Sequence, residues 1–317
     1  MRNTILFGDC RKTLSTLKAQ ITTGISERPR MCVTSPPYYG LRDYGGEEDQ
    51  IGQEQTPEKF IDSLVEVFRG VRDVLTDDGT LWVNMGDTYY NYRSDGNYPK
   101  QTVSKTKQDL PSFSPARGNK LEGLKSKDLI GIPWMLAFAL RADGWYLRQD
   151  IIWNKPNPMP ESVRDRCTKS HEYIFLLSKS KKYYYDNEAI KEPAKDWGTR
   201  DRTNGKYHNT GTGLQPHSGL TKSYPTKNKR SVWSVTNKPY KGAHFAVFPP
   251  ELIEPCIKAG SEKGDIILDP FMGSGTTGMV AKQLGRDYIG CELNEEYGKL
   301  IQKRVTDYKV SIMDIID

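Results

Sequence analysis

The chain has 317 residues, 36% of them hydrophobic and 27% charged, with a formal net charge of +6 and a mean hydropathy of -0.68. That length suffices for one large α/β domain with insertions or two modest domains. No apolar run reaches the roughly 20 residues of a membrane span; the longest, IPWMLAFAL at 132–140, stops at Arg141. The N-terminus holds only Ile5, Leu6 and Phe7 as a strongly apolar run, too short for a secretory signal, so a cytoplasmic protein with no membrane role is expected. Cys10, Cys32, Cys167, Cys256 and Cys291 form no CxxC pair, and His171, His208, His217 and His244 show no metal-ligand spacing. Neither a disulfide framework nor a metal site is expected.

Along the chain, short apolar strands run into sharp loops that carry a small or acidic residue and then into helices. NTILFGD (3–9) and RMCVTSPPY (30–38) come first. FIDSLVEVFRGVRDVL (60–75) follows with Phe60, Leu64, Val67, Phe68, Val71 and Leu75 on one helical face, stopped by Asp77-Asp78-Gly79. GTLWVNMGD (79–87) is the next strand, and residues 88–128 are rich in Asn, Ser, Lys, Gly and Pro, the composition of a long surface loop. Residues 144–155 and 171–179 add two strands, 186–240 break the pattern as a separate insertion, and GDIILDPFMGSG (264–275) and DYIGCEL (287–293) close the series. A last helix is expected from Asn294, a good N-cap, with Glu295 and Glu296 in its first turn. Strands alternating with helices predict a doubly wound parallel sheet.

The positive charge is local. Between Lys179 and Lys241 there are 14 Lys and Arg against 5 Asp and Glu, a local +9, which leaves -3 for the rest of the chain. Tyr183, Tyr184, Tyr185, Trp197, Tyr207, Tyr224, Trp233 and Tyr240 interleave with those cations. Aromatic rings among cations suit base stacking and phosphate contact, so this segment is expected to bind nucleic acid.

In GDIILDPFMGSGTTGMVAKQLGRDYIGCEL, a strand runs into Gly273, Gly275 and Gly278, and Glu292 ends the next strand 19 residues after Gly273. GSGTTG fits a turn whose backbone approaches a ligand at a helix N-terminus, with the distal acid taking ribose hydroxyls. Asp269 before the turn would repel a pyrophosphate but can accept from an ammonium group, and Pro270 and Phe271 reshape the turn. S-adenosylmethionine, with an amino acid end and an adenosine end, fits that charge layout better than a dinucleotide. A nicotinamide-dependent oxidoreductase is the rival on GSGTTG alone.

TSPPYYG at 34–40 asks for its own explanation. Two prolines forbid regular structure and offer no N–H, leaving carbonyls such as that of Pro36 free to accept. The Ser35 hydroxyl is a second acceptor and Tyr38 a flat face for a base. An exocyclic base amine is a weak nucleophile because its lone pair is conjugated; two acceptors that hold its N–H bonds turn that lone pair toward an incoming methyl group. Positioning then supplies much of the rate, and no metal is required.

TSPPYYG together with DPFMGSGTT resembles the permuted, beta-type amino DNA methyltransferases, in which the catalytic motif precedes the cofactor motif. NPMPESVRDRCTKSHEYIFLLSK (157–179) is similar to a further block of that family, and HFAVFPPELIEPCI (244–257) resembles the element that closes over the methionine end of the cofactor. The resemblance implies a Rossmann-like S-adenosylmethionine-dependent fold with an inserted target-recognition region: a catalytic half at 1–185, the insertion at 186–240 and a cofactor half at 241–317. It implies Ser35, Pro36, Pro37 and Tyr38 at the flipped base, Asp9 at the adenine amino group and Glu292 at the ribose. Asp269, Pro270, Phe271, Gly273, Ser274, Gly275, Thr276 and Thr277 fall to the methionine part, with His244 and Phe245 closing over it. Double-stranded DNA is the implied partner, with a cognate restriction endonuclease alongside. Serine at 35, where many adenine enzymes of the family have Asp or Asn, leans toward cytosine N4, with adenine N6 as the alternative. A DNA-binding protein without catalysis and an RNA substrate are the other readings; the first would need neither Glu292 nor the glycine turn.

Overall fold

Five of the expected strands lie side by side and parallel in the computed structural model, which describes residues 1–40, 50–90, 121–194, 225–237 and 248–306. They are β1 (Thr4–Phe7), β2 (Met31–Thr34), β3 (Thr80–Met85), and, late in the chain, β9 (Ile266–Asp269) and β10 (Asp287–Glu292). Between them in sequence come β4 (Tyr146–Asn154), β5 (His171–Ser178), β6 (Glu192–Pro193), β7 (Thr226–Lys227) and β8 (Val232–Ser234). The main sheet has the order β1, β10, β9, β2, β3, β5, β4, β8, and β6 pairs with β7 in a small second sheet. Every residue of β2, β3 and β9 is buried, as expected of strands covered on both faces.

Successive side chains of a strand point to opposite faces. Cys32 accordingly joins a cluster with α1 (Cys10–Thr22), α2 (Pro57–Val74) and α3 (Ile132–Ala142), while Met31 and Val33 join α4 (Pro250–Gly260), α5 (Thr276–Gln283) and α6 (Tyr297–Thr306) on the other face. The apolar face read for α2 is the buried one: Phe60, Leu64, Val67, Phe68, Val71 and Leu75 are each 0% exposed. Its start lies earlier than the periodicity alone suggests, because Thr56 caps the Lys59 N–H and Pro57 supplies a pre-set first turn. The last helix starts at Tyr297 rather than directly after Asn294, whose side chain instead takes the Glu296 N–H at 2.9 Å in a preceding turn. Cys10, Cys32, Cys256 and Cys291 are free and buried, and Cys167 is free and exposed.

The expectation of an all-parallel sheet needs one correction. β5 runs antiparallel to both β3 and β4. Residues 155–170 return the chain at the same edge without a crossover helix, and a return of that kind forces antiparallel pairing. The reversal delivers Lys179 to the far end of the sheet, where its N–H donates to Gly79 O at 3.0 Å and the Tyr184 N–H donates to Asp78 O at 2.9 Å. Residues 179–185 therefore stand opposite the rim that carries Ser35, which corrects the reading of 179–241 as one nucleic-acid surface. Of the stretch read as an insertion, β8 pairs parallel with β4, buries Trp233, and brings Val235 to Asn154 at the Ser35 end. Residues 195–224, most of the 88–128 loop, and His244 with Phe245 lie outside the described residues.

Candidate active site

Parallel strands put their carboxyl ends on one rim, and the order β1, β10, β9, β2 sets the row of groups along it. Asp9 follows β1, Glu292 ends β10, Asp269 ends β9, and Ser35 follows β2. Three interstrand steps of about 4.8 Å separate the first column from the last, roughly 14 Å in all. Thr34 and Asp269 join the two motifs directly: Thr34 Oγ1 donates to Asp269 Oδ1 at 2.6 Å.

Asp269 is buried and its carboxylate is also held by Thr277 Oγ1 at 2.6 Å and the Phe271 N–H at 3.0 Å. Burial pushes its carboxyl up, and those three donors oppose the push. Asp269 therefore locks the glycine turn to β2. Within the turn, Gly275 adopts φ +85°, and a Cβ there would come 2.8 Å from Ile301 Cγ2, so only glycine lets α6 dock. Ser274 is buried and accepts from Arg304 of α6. Ser274, Gly275 and Thr277 thus face inward, Pro270 is buried, and Phe271 and Gly273 remain partly open on the rim.

Glu292 accepts the Gly273 N–H at 2.8 Å and the Asn294 N–H at 3.0 Å. Burial raises its carboxyl to about 7, with the nearby Asp269 charge adding to the shift. Asp9 caps α1 by accepting the Arg11 N–H at 2.9 Å and pairs with the Arg11 guanidinium. The neighbouring Gly8 N–H reaches Glu292 O, so Asp9 and Glu292 are adjacent. Asp87, also at a strand end, is spent differently: it accepts the Gly131 and Ile132 N–H groups and so caps α3.

Around the proline loop, Tyr39 packs on Phe60 with centroids 5.4 Å apart, and Gly52 lies against Pro37 and Tyr38. The Tyr38 ring rests on Gly86, where a Cβ would come 2.7 Å from Tyr38 Cε2. Its hydroxyl donates to Glu172 Oε2 at 2.7 Å, and the Ser35 side chain and the Gly86 N–H lie near it. Burial, then the Glu172 charge, drives the phenol well above its ordinary value, so it stays a donor. Sequence reading misses Glu172, Lys155 and Asn84, which converge here. The available signal in the sequence is a charged residue near the start of an apolar strand.

The DNA methylase family that methylates amino N6 or N4 positions is matched over residues 30–303. The chain belongs to that family. This methylase is 49% identical over 301 residues to the type II methyltransferase M.SmaI of Serratia marcescens, covering 95% of this chain and 90% of that one. It is 48% identical over 286 residues to M.XycI of Xanthomonas campestris pv. cyanopsidis, covering 90% and 84%. Among solved structures, the cytosine-N4-specific PvuII DNA methyltransferase shares the fold at 18% identity with a TM-score of 0.61, covering 99% of this chain and 90% of that one. A putative DNA modification methylase of Thermus thermophilus in complex with S-adenosyl-L-methionine aligns at 22% identity with a TM-score of 0.56, covering 96% and 93%.

The methylase is an S-adenosylmethionine-dependent enzyme that modifies a base amine of DNA. Its own residues fit that cofactor. Among the described residues the buried Thr276 Oγ1 in the glycine turn has no hydrogen-bond partner, and a Cβ at Gly273 would meet nothing closer than Phe271 O at 3.9 Å, so the turn is open on its outer side. No helix among the described residues is long and apolar enough to cross a membrane.

Proposed function

We propose that this methylase transfers a methyl group to cytosine N4 of a base flipped out of duplex DNA at Ser35. The observation that carries this is the rim order Asp9, Glu292, glycine turn, Ser35, which supports an extended cofactor lying along the strand ends with its methyl group toward the proline loop. S-adenosylmethionine supplies an electrophilic methyl group on a sulfonium centre. Glu292 takes the ribose hydroxyls, Asp9 the adenine amino group, and Phe271 and Gly273, backed by Asp269, the methionine part. Ser35 Oγ and the Pro36 carbonyl hold the amine, and the exposed face of Tyr38 stacks on the base. A paired base cannot enter such a corner, so the target leaves the helix.

Serine at 35 favours cytosine over adenine because a neutral hydroxyl is what this chain offers at the first position of the motif. Residues 186–240 remain the proposed target-recognition region, lying in sequence between the catalytic half at 1–185 and the cofactor half at 241–317. The type II names of M.SmaI and M.XycI support a partner endonuclease that cuts the same DNA site. The test is nucleoside mass spectrometry of duplex DNA incubated with the enzyme and methyl-labelled cofactor. N4-methylcytosine is expected, and N6-methyladenine as the labelled product overturns the assignment.

A further inference from the structure

Glu172 is a heavily engaged charge on the rim that the methyl transfer above leaves without a task. Its Oε2 accepts from Tyr38 Oη at 2.7 Å and from Asn84 Nδ2 at 3.2 Å, and its Oε1 pairs with Lys155 Nζ. The Lys155 ammonium also lies 4.2 Å from the centroid of the Trp153 ring. The side chains of Glu172 and Lys155 are only 12% and 16% exposed. A buried ion pair of this kind is weak ground for stability, since apolar residues of like volume often do as well. Its contacts point instead toward the proline loop. The Tyr38 hydroxyl donates to Glu172 with the Ser35 side chain close by, which sets Ser35, Tyr38 and a carboxylate next to one another.

We propose that Glu172 is the final acceptor of the proton shed by the methylated amine, delivered through Ser35 and Tyr38; the inference rests on amine methylation at Ser35. As the amine nitrogen bonds to the methyl carbon and the carbon–sulfur bond breaks, the nitrogen becomes cationic and must lose one proton. Ser35, unlike an aspartate, cannot keep it. Ser35 Oγ takes that proton and passes its own to Tyr38 Oη, which passes its own to Glu172 Oε2. The neutral methylated amine and both hydroxyls result, and Glu172 ends as a neutral acid that returns its proton to solvent before the next turnover. Glu172 faces Lys155 from β4, Tyr38 from the loop after β2, Asn84 from β3 and Lys169 from the connection ahead of β5; Asp87 and Glu161 face Lys169, and His171 precedes Glu172 on its own strand. Glu172 is thus a relay and positioning residue that acts through Tyr38.

Two variants test the relay. Glu172→Gln keeps an acceptor for the Tyr38 hydroxyl but cannot take its proton. Tyr38→Phe keeps the ring and leaves Glu172 with Lys155 and Asn84. In each, single-turnover transfer to DNA is expected to fall about 100-fold, with cofactor affinity unchanged within about twofold as the check on folding. With cofactor saturating at every pH, the pH–rate profile of Glu172→Gln is expected to lack the acid limb of the wild type. A Glu172→Gln enzyme at wild-type rate, or one slowed with that limb intact, overturns the relay. If the glutamine variant does not fold, Tyr38→Phe decides alone, and a wild-type rate there has the same meaning. Wild-type protein that methylates no DNA removes the functional reading and the relay together, whereas an active wild type with normal variants removes only the relay.

Discussion

At the scale of single residues, Glu292 carries the clearest pH dependence. Burial raises its folded-state carboxyl to about 7 from 4.5, so between those values folding takes up a proton. For an acid shifted upward, stability falls as pH rises through that window and levels off above it. The proposed ribose role asks for the opposite form, because hydroxyls donate best to a carboxylate. Cofactor affinity is therefore expected to weaken as pH falls below about 7, and Glu292→Gln to lose roughly tenfold in affinity along with that pH dependence. Isothermal calorimetry at several pH values checks both. Asp269 makes a different point. Its place before the glycine turn suggests an ammonium ligand, yet its bonds to Thr34, Thr277 and the Phe271 N–H come from parts of the chain that only folding brings together.

At the scale of elements, the proline loop and β3 depend on each other. Gly86, just past the end of β3, leaves the space that the Tyr38 ring fills, with 2.7 Å between its missing Cβ position and Tyr38 Cε2. Gly86→Ala is expected to push the ring and its hydroxyl away from Glu172, lowering turnover about 100-fold while cofactor affinity holds; stopped methyl transfer with intact calorimetric binding is the predicted pair of results. The strands themselves were legible, since short apolar runs bounded by Gly, Asp and Pro have few other homes. So was the buried face of α2, because six apolar residues at helical spacing admit one amphipathic arrangement. The start of α6 was not, because Asn294 makes an equally good turn as a cap and local sequence does not choose between them. Nor was the direction of β5, since a strand's own residues do not encode which way its neighbours run.

At the scale of the whole molecule, exposed cations stand at both ends of the strands. Arg164 is exposed on the connection between β4 and β5 at the Ser35 end, whereas Lys181 and Lys182 are exposed at the other. If duplex DNA lies over the Ser35 rim, Arg164→Glu weakens binding and lowers the salt dependence by about one released counterion. Lys181→Glu combined with Lys182→Glu leaves affinity within about twofold. Fluorescence anisotropy over a range of salt concentrations distinguishes the two rims.

The Ser35-Pro-Pro-Tyr38 loop and the glycine turn ahead of Glu292 were legible as local structure from sequence alone, because proline and glycine at those spacings restrict the backbone whatever surrounds them. Their meeting on one rim, the Thr34 to Asp269 bond between them, and the Glu172 network beneath Tyr38 came only with the tertiary structure. Those contacts join residues more than 130 positions apart, and such pairings are set by strand order and direction, which local patterning does not contain.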